Sequence, residues 1–282
     1  MIRYSTIFSC MAMLLGIGGT AVAEQPESSS ALRLYVFECG RVRFDSMEGF
    51  SIEDDETDVR ELIVPCYIIE HEKGRMLWDG GLPSATAETK GWQGEGMQLR
   101  LDRTLAEQMA EINLNMSSFD LIAFSHMHFD HVGVANEVEG ATLLIQKTEY
   151  EAAFADKVNI PAVKPAIYSK LKDAKRVLLE GDYDVFGDGK VRIISAPGHT
   201  PGHQVLFLDL ANTGPIVLSG DLYHLAISRR ERRVPTFNTD AQATLKSMDR
   251  VEAFLKETGA NLWIEHELAW FEQLEKSPSS YD

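Results

Sequence analysis

Ser125 to Gly133 reads SHMHFDHVG and places His126, His128, Asp130 and His131 within six positions. Imidazole and carboxylate donors suit zinc, with iron, manganese or cobalt as competitors, whereas a closed structural zinc site would call for thiolates. No cysteine lies nearby, so the pattern describes an open site able to do chemistry. His126 and His128 alternate like neighbours on an extended segment, and Asp130 and His131 follow where the chain turns. The two pairs therefore point two ways and suggest two metals. A lone histidine on an apolar face is ordinarily a satisfied core residue; three histidines and an aspartate in this register form a far more specific signal. Three later stretches add donors of the same kind: Pro197-Gly198-His199-Thr200-Pro201-Gly202-His203, Ser219-Gly220-Asp221 and Glu265-His266-Glu267. Gly198 and Gly202 would let the backbone turn tightly enough for His199 to face inward.

Such side chains need strand ends to converge, because ligands gather at the carboxyl ends of strands in layered α/β folds. Leu32 to Phe37 alternates as a strand should, and Ile63 to Glu70 and Arg75 to Trp78 read as two more, the last ended by Asp79-Gly80-Gly81. Phe119 to Phe124 is a short apolar run that feeds the SHMHFDHVG motif. Further strands are expected over Ala141 to Gln146, Val191 to Ser195, Gln204 to Leu208, Ile216 to Ser219 and Asn261 to Ile264. Between them lie helical stripes: Leu105, Met109 and Ile112; Lys147 to Ala155; and Leu245, Met248, Val251 and Leu255, opened by a capping box at Thr239-Asp240-Ala241-Gln242 and closed by Gly259. Gly40 to Glu61 and Pro83 to Gln98 read as irregular loops. Phe44, Met47 and Phe50 would either anchor the first of these to the body or line a pocket under it.

The first residues are set aside as an address. Arg3, the apolar run Ile7 to Ile17 and Ala21-Val22-Ala23 read as a signal peptide over residues 1–23, followed by a disordered leader at 24–31 and one catalytic domain at 32–282. The apolar run is too short for a membrane span, so no stable membrane insertion is expected after cleavage. An exported chain, periplasmic or secreted, permits Cys39 and Cys66 to pair, although both also fit as small buried apolar residues. The formal charge of −16 argues against nucleic acid and anionic membrane surfaces as partners. It leaves a neutral small-molecule substrate open.

HMHFDH, PGHTPGH, SGD and a late strand-end histidine, in this order and separation, resemble the metallo-β-lactamase superfamily from about Leu32 to the C-terminal region. The resemblance implies a four-layer αβ/βα sandwich of two mixed β-sheets with outer helices. It implies a dinuclear metal site on one edge: His126, His128 and His199 around one ion, Asp130, His131 and His266 around the other, and Asp221 between them. Asp79 would stand behind the ligands, and His203 would stabilise its loop. A bridging carboxylate such as Asp221 is typical of the superfamily's lactonases, thioesterases and phosphoesterases, and the chain looks most like its N-acyl homoserine lactonases. Those commonly carry a tyrosine three residues after the bridging aspartate; here His224 takes that place and Tyr223 precedes it, so either is a candidate to polarise the substrate carbonyl.

The function implied is opening of a lactone ring by hydroxide held between two divalent ions, zinc above all, with Asp130 or water passing a proton to the leaving group. Phe44 to Phe50 and Trp92 are the candidates to hold an acyl tail. A β-lactam hydrolase and another dinuclear thioesterase or phosphoesterase are the alternatives; a non-hydrolytic metal scaffold would need a missing ligand, and none is missing. A homodimer is left open.

Overall fold

The computed structural model describes Met1 and residues 32–282; the expected signal peptide and leader lie outside the described residues. Among the described residues twelve strands form two sheets. β1 (Leu32–Phe44), β2 (Glu61–His71), β3 (Gly74–Gly80), β4 (Met97–Arg100), β5 (Leu121–Ala123), β6 (Thr142–Gln146) and β7 (Arg176–Leu179) make one, in the order β4-β1-β2-β3-β5-β6-β7. β8 (Tyr183–Asp184), β9 (Val191–Ser195), β10 (Gln204–Leu210), β11 (Gly214–Leu218) and β12 (Asn261–Trp263) make the other, in the order β12-β11-β10-β9-β8. Both are mixed. β4, β1, β2 and β3 pair antiparallel and β3, β5, β6 and β7 parallel; in the second sheet only β11 and β12 are parallel.

Strict alternation along the strands sorts the side chains into layers. Met76 and Trp78 of β3, Leu206 and Leu208 of β10, and Ile216 and Leu218 of β11 face the core between the sheets. Leu77 faces the other way, onto the layer that holds Leu105 and Met109 of helix α1 (Leu105–Ala110) and Ala153 of α2 (Lys147–Ala153). Val205, Phe207 and Val217 pack against Met248, Val251 and Leu255 of α4 (Ala241–Thr258). The result is the four-layer sandwich expected from the sequence. The short helices α3 (Ala226–Glu231) and α5 (Leu268–Phe271) complete it. Among the described residues no helix is long and apolar enough to cross a membrane.

The sequence reading of β1 stopped too early. The strand runs on to Phe44 through a register shift between Glu38 and Arg41, where Gly40 adopts a positive φ. A bulge of this kind breaks the two-residue period by which a strand is recognised. The segment read as an irregular second loop likewise ends in β4, which pairs along the extended part of β1. Cys39 and Cys66 form a disulfide that ties β1 to β2 across a sequence separation of 27 residues. Closing a loop of that length constrains the unfolded chain by about 3 to 4 kcal/mol. The opening of α4 differs in detail: Asp240 alone caps the helix, accepting from the Ala243 amide. His71, at the end of β2, is buried; its Nε2 meets Asp188 at 3.0 Å and its ring stacks on Phe186.

Candidate metal centre

Five strands end at one place. β5 leads into the SHMHFDHVG loop, β9 into the loop of His199, β11 into Asp221, β12 into His266, and β3 carries Asp79 at its end. Two glycines let these loops meet. A Cβ on Gly133 would lie 2.2 Å from the Leu82 carbonyl carbon, and one on Gly198 would lie 2.2 Å from the Thr244 nitrogen, both impossible contacts with backbone. Behind them the buried carboxylate of Glu149 accepts from the amides of Met127 at 2.9 Å and Gly202 at 2.8 Å, stapling the first ligand loop to the second. Burial raises the Glu149 pKa even though these bonds favour its ionised form.

The donor atoms of His126, His128, His199 and Asp221 all lie within 4.8 Å of one another. His199 Nε2 stands 3.2 Å from His126 Nε2, 3.1 Å from His128 Nδ1 and 3.1 Å from Asp221 Oδ2. A second group, Asp130, His131 and His266, meets the same criterion. The two groups share Asp221: its Oδ1 lies 2.8 Å from His266 Nε2 and 3.3 Å from His131 Nε2, while Oδ2 faces His199 and His126. All are buried except Asp130, whose side chain is 15% exposed.

The far side of three of the rings is held. His266 Nδ1 donates to the Ile63 carbonyl at 2.6 Å, His199 Nδ1 to Asn238 Oδ1 at 2.9 Å, and His131 Nδ1 to Asp79 Oδ2 at 3.2 Å. These bonds orient the rings so that each Nε2 points inward, the usual outer support of a metal site. Thr244 in turn accepts from the Asn238 amide at 3.0 Å, and Asp79, held in the left-handed region at φ 53°, accepts from the Ser125 amide at 2.7 Å. His203 Nδ1 donates to the Ala196 carbonyl and its Nε2 accepts the Asp221 amide at 2.9 Å, so it braces the loop that carries Asp221.

The charge states of the donors differ. Burial, then the neighbouring imidazoles, push His126 and His128 well below the usual histidine range, so both are neutral donors. Burial alone would raise Asp221, but the positive charge that His266 and His131 carry beside it outweighs burial and keeps the carboxylate ionised. Burial opposes a charged His266, yet Asp221 beside it holds the pKa at about 9. His128 Nε2, His131 Nε2 and Asp221 Oδ1 are buried without a hydrogen bond. Buried polar atoms rarely go unpaired, and His131 Nε2 and Asp221 Oδ1 face each other at 3.3 Å where a divalent ion with nitrogen and oxygen ligands would fit.

A cavity of about 190 Å³ opens onto Asp221, His224, His266, His128 and Asp130, with walls that include Phe44, Phe50, Met97, Phe129 and Phe237. The structure separates the two carbonyl-polarising candidates. His224 is in the pocket, its Nε2 3.0 Å from Asp221 Oδ2 and its ring edge-on to Phe50 and Phe237. Tyr223 is not: extended backbone sends alternate side chains to opposite sides, and its hydroxyl donates to Glu252 on α4 at 3.1 Å. Trp92 is also placed elsewhere, half-buried with the Arg43 guanidinium 4.0 Å over its ring. Phe44 and Phe50 both anchor their loop, in contact edge-on at 5.0 Å, and line the cavity. Sequence reasoning missed Glu149, Asn238 and Phe237. An acid at Glu149, four residues before the buried Ala153 on one helix face, was a readable signal; Phe237 and Asn238 sit in a loop with no period to read.

Comparison with known proteins agrees with this geometry. Residues 59–258 match the family model of the metallo-beta-lactamase superfamily. The chain is similar to the N-acyl homoserine lactonase AttM of Azorhizobium caulinodans, 25% identical over 89% of this chain and 99% of that one. It is 28% identical to the N-acyl homoserine lactonase AiiA of Bacillus thuringiensis subsp. kurstaki over 84% and 93% of the two chains. A solved N-acyl homoserine lactone hydrolase, with its product N-hexanoyl-L-homoserine bound at the catalytic metal centre, superposes with a TM-score of 0.76 at 25% identity, covering 89% of this chain and 98% of that one. Two sheets, strand-end ligand loops and a family match spanning both halves agree: the chain belongs to the metallo-beta-lactamase superfamily.

Proposed function

We propose that the protein is a metal-dependent lactonase that opens the ester ring of N-acyl homoserine lactones, an activity that would silence such signals between cells. The carrying observation is the cavity, apolar along its walls and closed at its floor by Asp221, His224 and His266. Relatives that match nearly end to end are named for the same chemistry. His126, His128 and His199 would hold one divalent ion and Asp130, His131 and His266 another, with Asp221 between them and zinc the ion best suited to the donors. Such ions supply a water acidic enough to ionise near neutral pH and a Lewis acid for the ester carbonyl.

The chain does the rest. Phe44, Phe50, Phe129 and Phe237 exclude water and receive an acyl tail. His224, neutral because burial outweighs the attraction of Asp221, offers an N–H to the carbonyl oxygen as negative charge develops there. Asp130, the ligand-group member open to solvent, returns a proton to the ring oxygen as it leaves. A panel of acyl homoserine lactones, simple lactones, β-lactams and phosphodiesters tests the reading on metal-loaded protein. Hydrolysis of acylated homoserine lactones should dominate; penicillin cleavage at a higher rate would overturn it.

Phe50→Ala should widen the cavity and move the preferred acyl chain by about two carbons or more, with KM changed more than kcat, since a buried methylene is worth about 0.8 kcal/mol. Trp92→Ala, away from the cavity, should leave chain preference alone. Equal behaviour of the two variants would sink the assignment.

Export belongs to the same reading, supported by Arg3, Ile7 to Ile17, Ala21-Val22-Ala23 and the Cys39–Cys66 disulfide. Intact-mass measurement of the protein from its native host should give a chain starting at Glu24, and a full-length mass would reject it.

A further inference from the structure

The charge of −16 is spread unevenly. Residues 157–176 hold Lys157, Lys164, Lys170, Lys172, Lys175 and Arg176 against a single acid, Asp173. All six basic residues are exposed, and none makes an ion pair among the described residues. Lys164 lies 4.2 Å over the ring of Phe129 at the pocket rim, and the Arg176 guanidinium lies over Tyr150 and bonds the Lys172 carbonyl. The ammonium groups of Lys157, Lys170, Lys172 and Lys175 have no hydrogen-bond partner there either.

The same stretch runs into β7, the free edge of the seven-stranded sheet. There Val177 and Leu178 are 37% and 40% exposed, and with Met1 and Trp270 they make up the exposed large hydrophobic side chains among the described residues. Lysines beside an edge strand ordinarily guard it against pairing with another chain. That accounts for Lys175 and Arg176, but not for Lys157, Lys164, Lys170 and Lys172, which lie off the strand. The segment also borders the substrate cavity: Pro161 and Ala162 line it, and the Ala162 carbonyl accepts from the Phe129 amide.

We propose that this face docks the protein onto an anionic lipid surface, with the lysines against phosphate headgroups and Leu178, which shares their side of the sheet with its partner Ile145, entering the interface between them. Basic residues with adjacent apolar side chains are the combination that holds peripheral proteins at such surfaces. The acidic remainder of the chain does not forbid it, because charges farther off than about 8 Å are largely screened at physiological salt. On the lactonase reading, docking would bring the cavity mouth to acyl-tailed substrates dissolved in the bilayer. The docking itself needs no substrate, so its failure would leave that reading standing.

The test is co-sedimentation of the full chain with vesicles of phosphatidylglycerol and phosphatidylcholine in equal parts, against phosphatidylcholine alone. The apolar run near the N-terminus would favour both lipids alike, so the difference between them reads the basic face. Partition onto the anionic vesicles should be stronger by about tenfold or more and should weaken with added salt. K170E/K172E/K175E should remove the difference, and L178S should reduce it, with circular dichroism and turnover of a soluble short-chain lactone unchanged. Equal partition onto both vesicles, an undiminished difference in the triple variant, or capture by a soluble polyanion without vesicle binding would each overturn the proposal.

Discussion

Asp221→Asn is expected to lower kcat/KM on the order of a thousandfold or more and to reduce bound metal to about half, measured together by steady-state kinetics and elemental analysis. The substitution keeps the size of the side chain and removes its charge. Asp221 is the one group whose two oxygens face different histidine sets, His131 and His266 on one side and His126 and His199 on the other. An amide offers one acceptor in place of two and no charge to offset paired cations. A second readout comes from His266 in metal-free protein. Its pKa of about 9 depends on the Asp221 carboxylate outweighing burial, so removing that charge lets burial win and His266 loses its proton at lower pH, visible by NMR. Full metal content with undiminished turnover would rule out the bridging role.

His224→Phe should cost about a hundredfold to a thousandfold in kcat and leave metal content unchanged. Phenylalanine fits between Phe50 and Phe237 but has no N–H to offer a developing oxyanion. His224→Tyr should recover most of the loss, because a phenol at this place supplies the same kind of donor. Tyr223→Phe should be almost silent in turnover, since that hydroxyl serves Glu252 on the far side. If the phenylalanine variant kept full rate, or lost metal in proportion to rate, His224 would be a structural or ligating residue and not a donor to substrate.

The ligand loops were legible in the sequence because each joins a strand with a clear period to a short motif of unambiguous chemistry. β5, β9, β11 and β12 were read within a residue or two of their ends, and the donors follow them directly. What escaped has a common cause. The extension of β1 lies beyond a bulge, β7 exposes three of its four residues and shows no alternation, and β8 has only two residues. The pocket was half-read. Phe44 and Phe50 were candidates, but Trp92 was grouped with them for being aromatic in a loop, and that says nothing about which way a ring turns. His224 and Tyr223 were inseparable until the backbone direction between them was known.

Gly133 and Gly198 bear on how this molecule can change over generations. Each sits where one further carbon would strike a neighbouring backbone, so the loops that hold the ligands have almost no tolerated variants at their points of contact. Apart from Phe129, which sits within a ligand loop, the aromatic and Met97 walls of the cavity come from other segments: Phe44 and Phe50 from the end of β1 and the turn after it, Met97 from β4, Phe237 from the link before α4. Heredity can therefore edit one set without disturbing the other. Descendants of this chain would keep their reaction and drift in diet, acquiring new acyl groups through single wall substitutions long before any new chemistry became reachable.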